Sequence, residues 1–573
     1  MKSKLSLIAV ILISLIYFQF RFSYTDFQKG DPLKVTTWDA FGYYMYLPGM
    51  IIYNDVTELK WVPEIEKEYQ LTGGYLYQAD AVANGNYVFK YLGGVAIMQT
   101  PFFLIGHTIA SFSDYKADGF SAPYQYSIAL GAIVYFMLAL YLLRNILLRY
   151  FSDRATAITL LYLTLATNLI QYISIDGAQS HAFIFPLYVL ILYATIKWHE
   201  SPKVKCAALI GLIIGLATIS RPTEAIMLFI PLLWETQTKE SKKLKWQKVK
   251  LHLKHIWVVI LFAIIGALPQ LIYWKITSGS FVYDVGSKWF FLNPWFRVLF
   301  GFENGWFIYT PITIFFVLGF FFMKNLVFKK SVIVFCLLNI WIIIAWSDYK
   351  YGATFSTRAM VQSYPVFALA FGALIHRIEQ RKWKYAFYVV GLYLIAVNFF
   401  QIGQYNTNVI HYKGMNALYY SRIYLDSDPT PLDMSLLDTD EILDDVSNFK
   451  KKKLSSSTEL QKLTISPNLP AVISETTIGK GKKGWVKIEA NLKATDGFNS
   501  ANLHGKILSG IEVKEILFRA RNPICIANQN NRYEFFVKVP YSTEEASVIF
   551  LITSGEEFNT TLKSYSVSYL EEK

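Results

Sequence analysis

Apolar stretches separated by short polar segments fill most of residues 4–402. An α-helix of about twenty residues spans the roughly 30 Å hydrocarbon core of a bilayer, because each residue adds about 1.5 Å. The pattern therefore predicts a mainly α-helical polytopic membrane protein with about eleven transmembrane helices. These predicted helices lie near residues 4–22, 123–147, 155–174, 182–198, 205–220, 222–236, 256–276, 308–323, 331–347, 359–376 and 384–402.

A further apolar run at 92–113 is interrupted by glycines, a proline and a histidine, so it either crosses the membrane or lies in its interface. Loop charge separates these two topologies, because short basic loops face the cytoplasm. If the run does not cross, the Lys/Arg-rich loops all lie on the same side as the N-terminus. We therefore predict a cytoplasmic N-terminus and a first extracytoplasmic segment, 23–122, that contains interfacial helices.

The chain changes character after residue 403. Residues 404–455 are polar and acidic, and a four-lysine run at 450–453 and three serines at 455–457 mark their end, a composition that predicts a linker. In residues 456–573, runs such as 485–490 and 533–539 alternate apolar and polar positions with the period of a strand. Several such strands predict a β-sandwich. The expected organisation is thus a transmembrane domain at 1–403, a linker at 404–455 and an extracytoplasmic β-sandwich at 456–573.

Composition agrees with the membrane class. Hydrophobic residues make up 53% of the chain and aromatic residues 17%, and the mean hydropathy is +0.31. The net charge of +13 does not indicate nucleic-acid binding, because the basic residues lie mostly in loops between apolar runs, where they set topology. The basic stretch 239–255 predicts a helix on the anionic inner leaflet.

In this topology, the unusual polar residues of the membrane part gather at the extracytoplasmic face. Charged groups near bilayer depth are costly and commonly mark function. We therefore predict one site at this face. Its candidate residues are Asp39, Tyr43, Lys90, Asp176, His181, Arg221, Tyr351 and Arg358.

Asp39 follows the first predicted span within the sequence 38–44, which is rich in aromatic residues. A carboxylate at the membrane surface can deprotonate an acceptor hydroxyl as a general base. It can also simply end a helix or pair with a loop lysine. Lys90 precedes the glycine-rich run at 92–113 and is either a cation for a lipid-linked phosphate or a lysine that extends to the interface.

Asp176 and His181 lie in the turn between two predicted spans, where ordinary turn chemistry is the alternative to function. His181 could donate a hydrogen bond to a phosphate or a sugar hydroxyl. Arg221 stands before Pro222, at the start of a predicted helix, and this placement suits an anion site. An ion pair between Arg221 and Glu224 is the alternative.

The sequence 346–358 combines small and aromatic residues and ends in Arg358 before a late span. Arg358 could bind a phosphate with two parallel hydrogen bonds or simply anchor the helix end. Tyr43 and Tyr351 are candidate substrate-binding residues in the aromatic segments beside Asp39 and Arg358.

The sequence contains no P-loop, no dinucleotide-binding glycine motif, no HExxH and no GxSxG. It therefore offers no recognisable site for ATP, a nicotinamide or a catalytic zinc. A reaction at this face would need a donor that is already activated. On the outer side of a membrane, that requirement points to a donor carried by a lipid.

Taken together, these residues resemble the GT-C superfamily of membrane glycosyltransferases. The closest likeness is to the bacterial relatives of protein O-mannosyltransferases and of lipid A aminoarabinose transferase. The resemblance covers residues 1–403 and makes the fold class GT-C-like. It rests on Asp39 after the first span, Lys90 with Gly93-Gly94, Ser180-His181, Arg221-Pro222-Thr223, and the loop from Tyr351 to Arg358.

The resemblance implies inverting transfer of a sugar from a polyprenyl-phosphate donor to a lipid, glycan or protein acceptor, in a bacterial inner membrane. Asp39 would be the base and Asp176 a second carboxylate. Lys90, His181, Arg221 and Arg358 would bind the donor phosphate. The resemblance implies no certain cofactor and a possible divalent cation. Ala40 follows Asp39 where many relatives carry an Asp-Glu pair, and this departure puts metal dependence in doubt. A lipid-linked glycan flippase or transporter is an alternative, as is a glycan polymerase or ligase that uses lipid-diphosphate donors.

Overall fold

A computed structural model of the chain describes residues 4–23, 33–467, 469–494, 501–510, 512–521, 528–541 and 544–573. These residues form two compact units. The first comprises Met1–Phe300 and Asn304–Phe399, and the second comprises Gly301–Glu303 and Phe400–Lys573. The first unit is mainly helical, whereas the second contains most of the β-structure.

Helices α1 to α18 make up most of the described residues before 407. They are α1 Lys4–Ser23, α2 Asp39–Tyr44, α3 Tyr46–Ile51, α4 Val62–Tyr69, α5 Gly94–Ser111, α6 Ala122–Leu147, α7 Asp153–Leu165, α8 Ser180–Glu200, α9 Val204–Thr218, α10 Phe229–Leu233, α11 Lys239–Leu251, α12 Lys254–Ser278, α13 Arg297–Phe300, α14 Trp306–Tyr309, α15 Thr313–Leu318, α16 Lys329–Ala345, α17 Tyr364–Ile378 and α18 Lys384–Asn406. Strands β1 (Ala79–Ala81) and β2 (Tyr87–Phe89) form an antiparallel hairpin between α4 and α5.

Among the described residues, six helices are long and apolar enough to cross a membrane. Five of them are α1, α6, α8, α12 and α18, and the sixth is the segment Arg358–Ile378, which contains α17. Shorter apolar helices lie at Val204–Thr218, Pro222–Leu233 and Thr313–Phe322. The sequence prediction of a mainly helical chain with membrane-spanning helices is therefore confirmed. The apolar run at 92–113 forms α5, which contains Pro101 and lies outside this set of six.

Helices α9 and α12 pack against each other with their backbones in contact. Gly211 and Gly215 stand one turn apart on α9, and a Cβ on either would lie 2.2 Å from a carbonyl oxygen of α12. Paired small residues of this kind let membrane helices approach closely without intervening side chains. Opposite α9, α12 leaves most of its apolar side chains exposed, as expected of a helix that faces lipid. The carboxyl end of α9 leads directly to Arg221.

The second unit contains the short helices α19 (Ala417–Ile423) and α20 (Pro431–Ser435) and two antiparallel sheets. The strands are β3 Phe449–Ser457, β4 Gln461–Ile465, β5 Ala471–Ile478, β6 Gly484–Ala494, β7 Ala501–Ser509, β8 Glu512–Arg519, β9 Asn531–Lys538, β10 Ala546–Ser554 and β11 Phe558–Glu572. One sheet has the strand order β5-β10-β7-β8; the other has the order β3-β11-β6-β9, with β4 also paired to β11. Apolar residues from both sheets share one buried cluster.

Residues before β3 are tied to these sheets by ion pairs. Asp438 accepts hydrogen bonds from Arg519, with 2.7 Å between the Arg519 Nη2 and Asp438 Oδ1 atoms. Glu441 pairs with Lys514 and also accepts from the backbone N–H of Lys538 at 2.6 Å. Asp438 and Glu441 therefore have fixed partners on β8 and at the end of β9.

Helix α11 carries a lysine that is buried in spite of its basic surroundings. Lys245 is 3% exposed, and its Nζ donates to the carbonyl oxygens of Pro231, Leu232 and Trp234 at 2.7, 2.5 and 2.9 Å. These carbonyls end the α10 helix, where no further turn supplies N–H donors. The charge of Lys245 therefore stabilises the end of α10. By contrast, the neighbouring apolar residue Leu244 is 65% exposed.

We expect Lys245→Met to lower the free energy of unfolding by about 1.5–3 kcal/mol, because three buried or partly buried carbonyl oxygens lose a charged donor. Lys243→Met, at an exposed position two residues away, should change the free energy of unfolding by less than about 0.5 kcal/mol. Thermal unfolding of both variants in the same detergent measures the difference. Equal melting temperatures would contradict the capping role.

Candidate active site

A cavity of about 620 Å³ lies within the first unit. It gathers residues that are far apart in the sequence, including all of the predicted site residues except Asp176. The predicted residues that line it are Asp39, Tyr43, Lys90, His181, Arg221, Tyr351 and Arg358. The walls also contain large aromatic side chains, namely Trp274, Tyr283, Trp289 and Trp346.

Asp39 begins α2 directly after a strained backbone position. Trp38 has a φ of 53°, in the left-handed region that residues other than glycine rarely adopt. Its N–H donates to the carbonyl of Leu71 at 2.9 Å, and its carbonyl accepts from the Gln78 side chain at 3.0 Å. Hydrogen bonds thus fix both the N–H and the carbonyl group of Trp38. The position of this backbone in turn orients the Asp39 carboxylate.

The Asp39 carboxylate accepts three hydrogen bonds from side chains. Arg358 Nη2 lies 2.5 Å from Oδ2, while the hydroxyls of Tyr91 and Tyr77 donate to Oδ1 at 2.6 and 3.0 Å. Burial by itself would raise the pKa of Asp39, but the Arg358 charge and these hydrogen bonds lower it below its ordinary value. In this state the carboxylate is ionised and only weakly basic.

Tyr91 reaches Asp39 because α2 has a glycine where the two elements meet. A Cβ on Gly42 would lie 2.2 Å from the Tyr91 ring. The carbonyl of Tyr91 accepts from the Tyr46 hydroxyl at 2.8 Å, and the next glycine, Gly93, donates its N–H to Gln270 of α12 at 2.7 Å. The segment before α5 is therefore fixed between α2, α3 and α12.

Arg358 contacts two acceptors at once. Besides Asp39, its Nη1 donates to Gln179 Oε1 at 3.1 Å. The residue follows a loop in which Tyr351 and Ser356 both have positive φ angles, 55° and 57°. Tyr351 is 2% exposed and its hydroxyl donates to the carbonyl of Ile343 at 2.6 Å, so the loop is anchored where it borders the cavity.

Lys90 pairs with a carboxylate of the β1–β2 hairpin. Its Nζ lies 2.9 Å from Asp80 Oδ1, and both side chains are about one-third exposed. An exposed ion pair of this type contributes little stability, so the ammonium group can exchange Asp80 for another anion at small cost.

Arg221 and His181 meet on another wall of the cavity. Arg221 Nη1 is 3.5 Å from His181 Nδ1, and the same ring nitrogen lies 2.7 Å from Gln362 Oε1. The helix that begins at Pro222 is a seven-residue 3₁₀ turn, Pro222–Leu228, instead of the predicted α-helix. Any anion here would therefore be bound by the guanidinium itself and not by a helix terminus.

Asp176 lies apart from the cavity lining. It follows a single π-helical turn, Gln171–Ile175, and its Oδ2 accepts from the Gln171 side chain at 3.0 Å. Burial raises the pKa of Asp176. Among the described residues, no group of three or more His, Cys, Asp or Glu is arranged to hold a metal ion. The neighbours of Asp39 are an arginine and two tyrosines, a donor set that does not fit a divalent cation.

Several polar residues of the cavity were not predicted from the sequence. Gln179, Glu224 and Gln362 line it together with Asn339. Three of these four, Glu224, Asn339 and Gln362, lie inside or at the edge of apolar stretches, where a polar side chain is itself unusual. That signal was present, but it gives no information about which side of a helix faces the site.

A family model described as dolichyl-phosphate-mannose-protein mannosyltransferase matches residues 120–273, about a quarter of the chain. The match contains His181 and Arg221, whereas Asp39, Lys90 and Arg358 lie outside it. The resemblance to membrane glycosyltransferases of the GT-C superfamily is therefore confirmed over this part of the chain. No curated protein sequence matches the chain significantly.

Three solved structures are similar to the chain at low identity. ArnT from Cupriavidus metallidurans bound to undecaprenyl phosphate is 12% identical, with a TM-score of 0.43, over 73% of this chain and 68% of that one. The apo oligosaccharyltransferase of Archaeoglobus fulgidus is 11% identical, with a TM-score of 0.39, over 74% and 58%. The arabinosyltransferase EmbB from Mycobacterium smegmatis is 11% identical, with a TM-score of 0.33, over 82% and 59%.

We expect Tyr91→Phe to raise the pKa of Asp39, because the ionised carboxylate loses a hydrogen bond that favours it. Folding lowers this pKa, so the ionised group stabilises the fold above the pKa of the unfolded chain. That stabilisation disappears as the pH falls through the folded-state pKa, and the variant should lose it at a higher pH. Infrared titration of the carboxyl band that Asp39→Asn removes measures the shift.

Tyr43→Phe is the matched control for this titration. The Tyr43 ring lies against Tyr91, with 4.8 Å between ring centroids, but its hydroxyl is not among the three donors to Asp39. The control should leave the titration of Asp39 unchanged. A Tyr91→Phe titration that coincides with that of wild type would show that the Tyr91 hydroxyl does not stabilise the ionised carboxylate.

Proposed function

We propose that the protein is an integral membrane glycosyltransferase of the GT-C type. In this proposal it transfers a sugar from a polyprenyl-phosphate donor to an acceptor hydroxyl or amine on the extracytoplasmic side, with inversion at the anomeric carbon. One observation carries the proposal: a carboxylate and three basic side chains, Lys90, Arg221 and Arg358, line a single cavity with aromatic walls. The family model and the motif resemblance support it.

The proposed step uses Asp39 as the general base. The acceptor oxygen attacks the anomeric carbon, and its proton passes to the Asp39 carboxylate. The bond between that carbon and the phosphate oxygen breaks at the same time, and polyprenyl phosphate leaves with the bonding electron pair. Arg358, Lys90 and Arg221 stabilise the negative charge that grows on the leaving phosphate.

Arg358 connects donor binding to the strength of the base. While its guanidinium pairs with Asp39, the pKa of Asp39 is low and the carboxylate is a poor proton acceptor. A donor phosphate competes for the same guanidinium, which suits the planar geometry of a phosphate. When the phosphate takes Arg358, the carboxylate loses its strongest partner and becomes more basic. The donor would thus activate the base.

The remaining topological expectations belong to the same proposal. About eleven spans would be made from the six long helices together with shorter apolar helices such as α9, α15 and α16. Residues 1–403 would form the transmembrane domain of a bacterial inner-membrane protein, and 404–455 would connect it to a β-sandwich at 456–573. The shared apolar cluster of the two sheets supports the sandwich. A cytoplasmic N-terminus would place the cavity on the outer side.

We expect Asp39→Asn to reduce glycosyl transfer by at least about a hundredfold, since the acceptor loses its general base. Mass spectrometry of glycoproteins and glycolipids from cells with and without the protein first identifies the product, and then measures its amount in the variants. Asp348→Asn makes the same chemical change at an exposed position outside the cavity lining and should retain activity. Wild-type amounts of product in Asp39→Asn would reject the base assignment.

Binding of a lipid phosphate distinguishes the role of Asp39 as the base from the role of Arg358 in the phosphate site. Undecaprenyl phosphate, the lipid named with the ArnT structure, is the probe. Asp39→Asn frees Arg358 and should bind it at least as well as wild type, whereas Arg358→Gln should bind it about tenfold more weakly.

Transport of a lipid-linked glycan without any glycosyl product in wild type would favour a flippase, and a product formed only from lipid-diphosphate donors would favour a polymerase or ligase.

Topology is tested by labelling single cysteines on intact cells, in a variant that lacks the three native cysteines. Tyr75 is 74% exposed in the predicted extracytoplasmic segment, and Lys243 is exposed on the predicted cytoplasmic helix α11. An impermeant maleimide should label Tyr75→Cys and leave Lys243→Cys unlabelled until the cells are opened. Labelling of both sites on intact cells would reject the orientation.

A further inference from the structure

A chain of buried polar side chains ends at the cavity. The Tyr188 hydroxyl donates to Glu224 Oε2, and Gln362 Nε2 donates to Glu224 Oε1 at 3.1 Å. Gln362 Oε1 then lies 2.7 Å from His181 Nδ1. All four residues are at most 2% exposed, so these contacts are shielded from water. Buried polar groups arranged in this way fix one another's orientation.

Glu224 determines which way the Gln362 amide points. When Glu224 is ionised, its oxygens only accept, so the Gln362 group beside it is the NH₂ group. The amide oxygen consequently faces His181, and an oxygen can only accept a hydrogen bond there. His181 Nδ1 therefore donates its proton to Gln362 Oε1, because this 2.7 Å contact is much shorter than the 3.5 Å contact with Arg221 Nη1, in which Nδ1 would have to accept.

With a proton on Nδ1, the other ring nitrogen, Nε2, is protonated only if the ring is charged. Arg221 already places a guanidinium charge 3.5 Å from the imidazole, and like charges at that separation repel each other, so a neutral ring is favoured. In a neutral imidazole with Nδ1 protonated, Nε2 is an acceptor. Among the residues that the structure describes, none donates to Nε2 of His181, a residue of the cavity wall.

We propose that His181 is a specificity-determining residue that accepts a hydrogen bond from a hydroxyl of the transferred sugar through Nε2. The proposal rests on the proposed glycosyltransferase function. It replaces the phosphate-binding role expected from the sequence, because an unprotonated nitrogen has no hydrogen to donate to a phosphate. The attacking hydroxyl of the acceptor has a single hydrogen and gives it to Asp39. A sugar carries several further hydroxyls, each of which is a donor that Nε2 can accept.

The first test observes the protonation of His181 without any substrate. Nitrogen NMR of protein labelled at its eight histidines distinguishes the two neutral forms and the charged ring, and His181→Asn identifies the signal. At pH 7 the signal should be that of a neutral ring protonated on Nδ1. Glu224→Gln should alter it, because Gln362 can then present either end of its amide. A ring protonated on Nε2, or on both nitrogens, would overturn the proposal.

The second test compares two replacements of His181 that differ in the acceptor they retain. The oxygen of His181→Gln can occupy the place of Nε2, whereas the shorter side chain of His181→Asn reaches only the place of Nδ1. Product measured in cells should fall at least about tenfold in His181→Asn and less in His181→Gln. Both variants should bind undecaprenyl phosphate within about twofold of wild type, with unchanged melting temperatures.

The outcomes distinguish this proposal from the function on which it rests. If His181→Asn weakens undecaprenyl phosphate binding as much as Arg221→Gln does, the residue belongs to the phosphate site and the proposal is wrong. Equal product in His181→Asn and wild type would also overturn it. A wild-type protein that neither binds undecaprenyl phosphate nor forms a glycosyl product would instead reject the proposed function, while the NMR result would still report the state of the ring.

Discussion

The ion pair between Asp39 and Arg358 is the contact on which the cavity depends. Its partners are 319 residues apart in the sequence and their side chains lie 2.5 Å apart. Each charge is largely removed from water, and a buried charge without its partner is strongly destabilising. The pair therefore holds α2 against the 3₁₀ turn before α17, and two tyrosine hydroxyls and Gln179 add further hydrogen bonds to its partners.

Much of this arrangement could be predicted because a membrane restricts where polar residues can lie. Asp39, Lys90, Arg221 and Arg358 each stand at the end of an apolar stretch, and loop charge assigns those ends to one face. Residues at the same face of a helical bundle have a good chance of meeting, and the cavity contains all four. Their chemical roles are proposals, since position alone does not distinguish a base from a structural partner.

The rest of the site could not be predicted, because hydropathy does not determine the direction in which a side chain points. Asp176 lies at the expected end of a helix, but a π-helical turn before it and the Gln171 amide place its carboxylate outside the cavity lining. Gln362 and Glu224 lie within apolar stretches, and only the packing of α8 against the neighbouring turns shows that they contact His181. In the second unit, alternation predicted strands well, whereas the pairing of β11 with three other strands is set by long-range register.

The glycine contact between α9 and α12 determines how these helices can respond to the surrounding bilayer. α12 exposes most of its apolar surface, and tilting is one way in which a membrane helix accommodates the thickness of the surrounding hydrocarbon. Gly211 and Gly215 leave no compressible side chain between the two backbones, and α9 must tilt together with its neighbour. Arg221 stands just beyond the end of α9. A change in the tilt of α12 would therefore be transmitted through α9 towards the Arg221 guanidinium group.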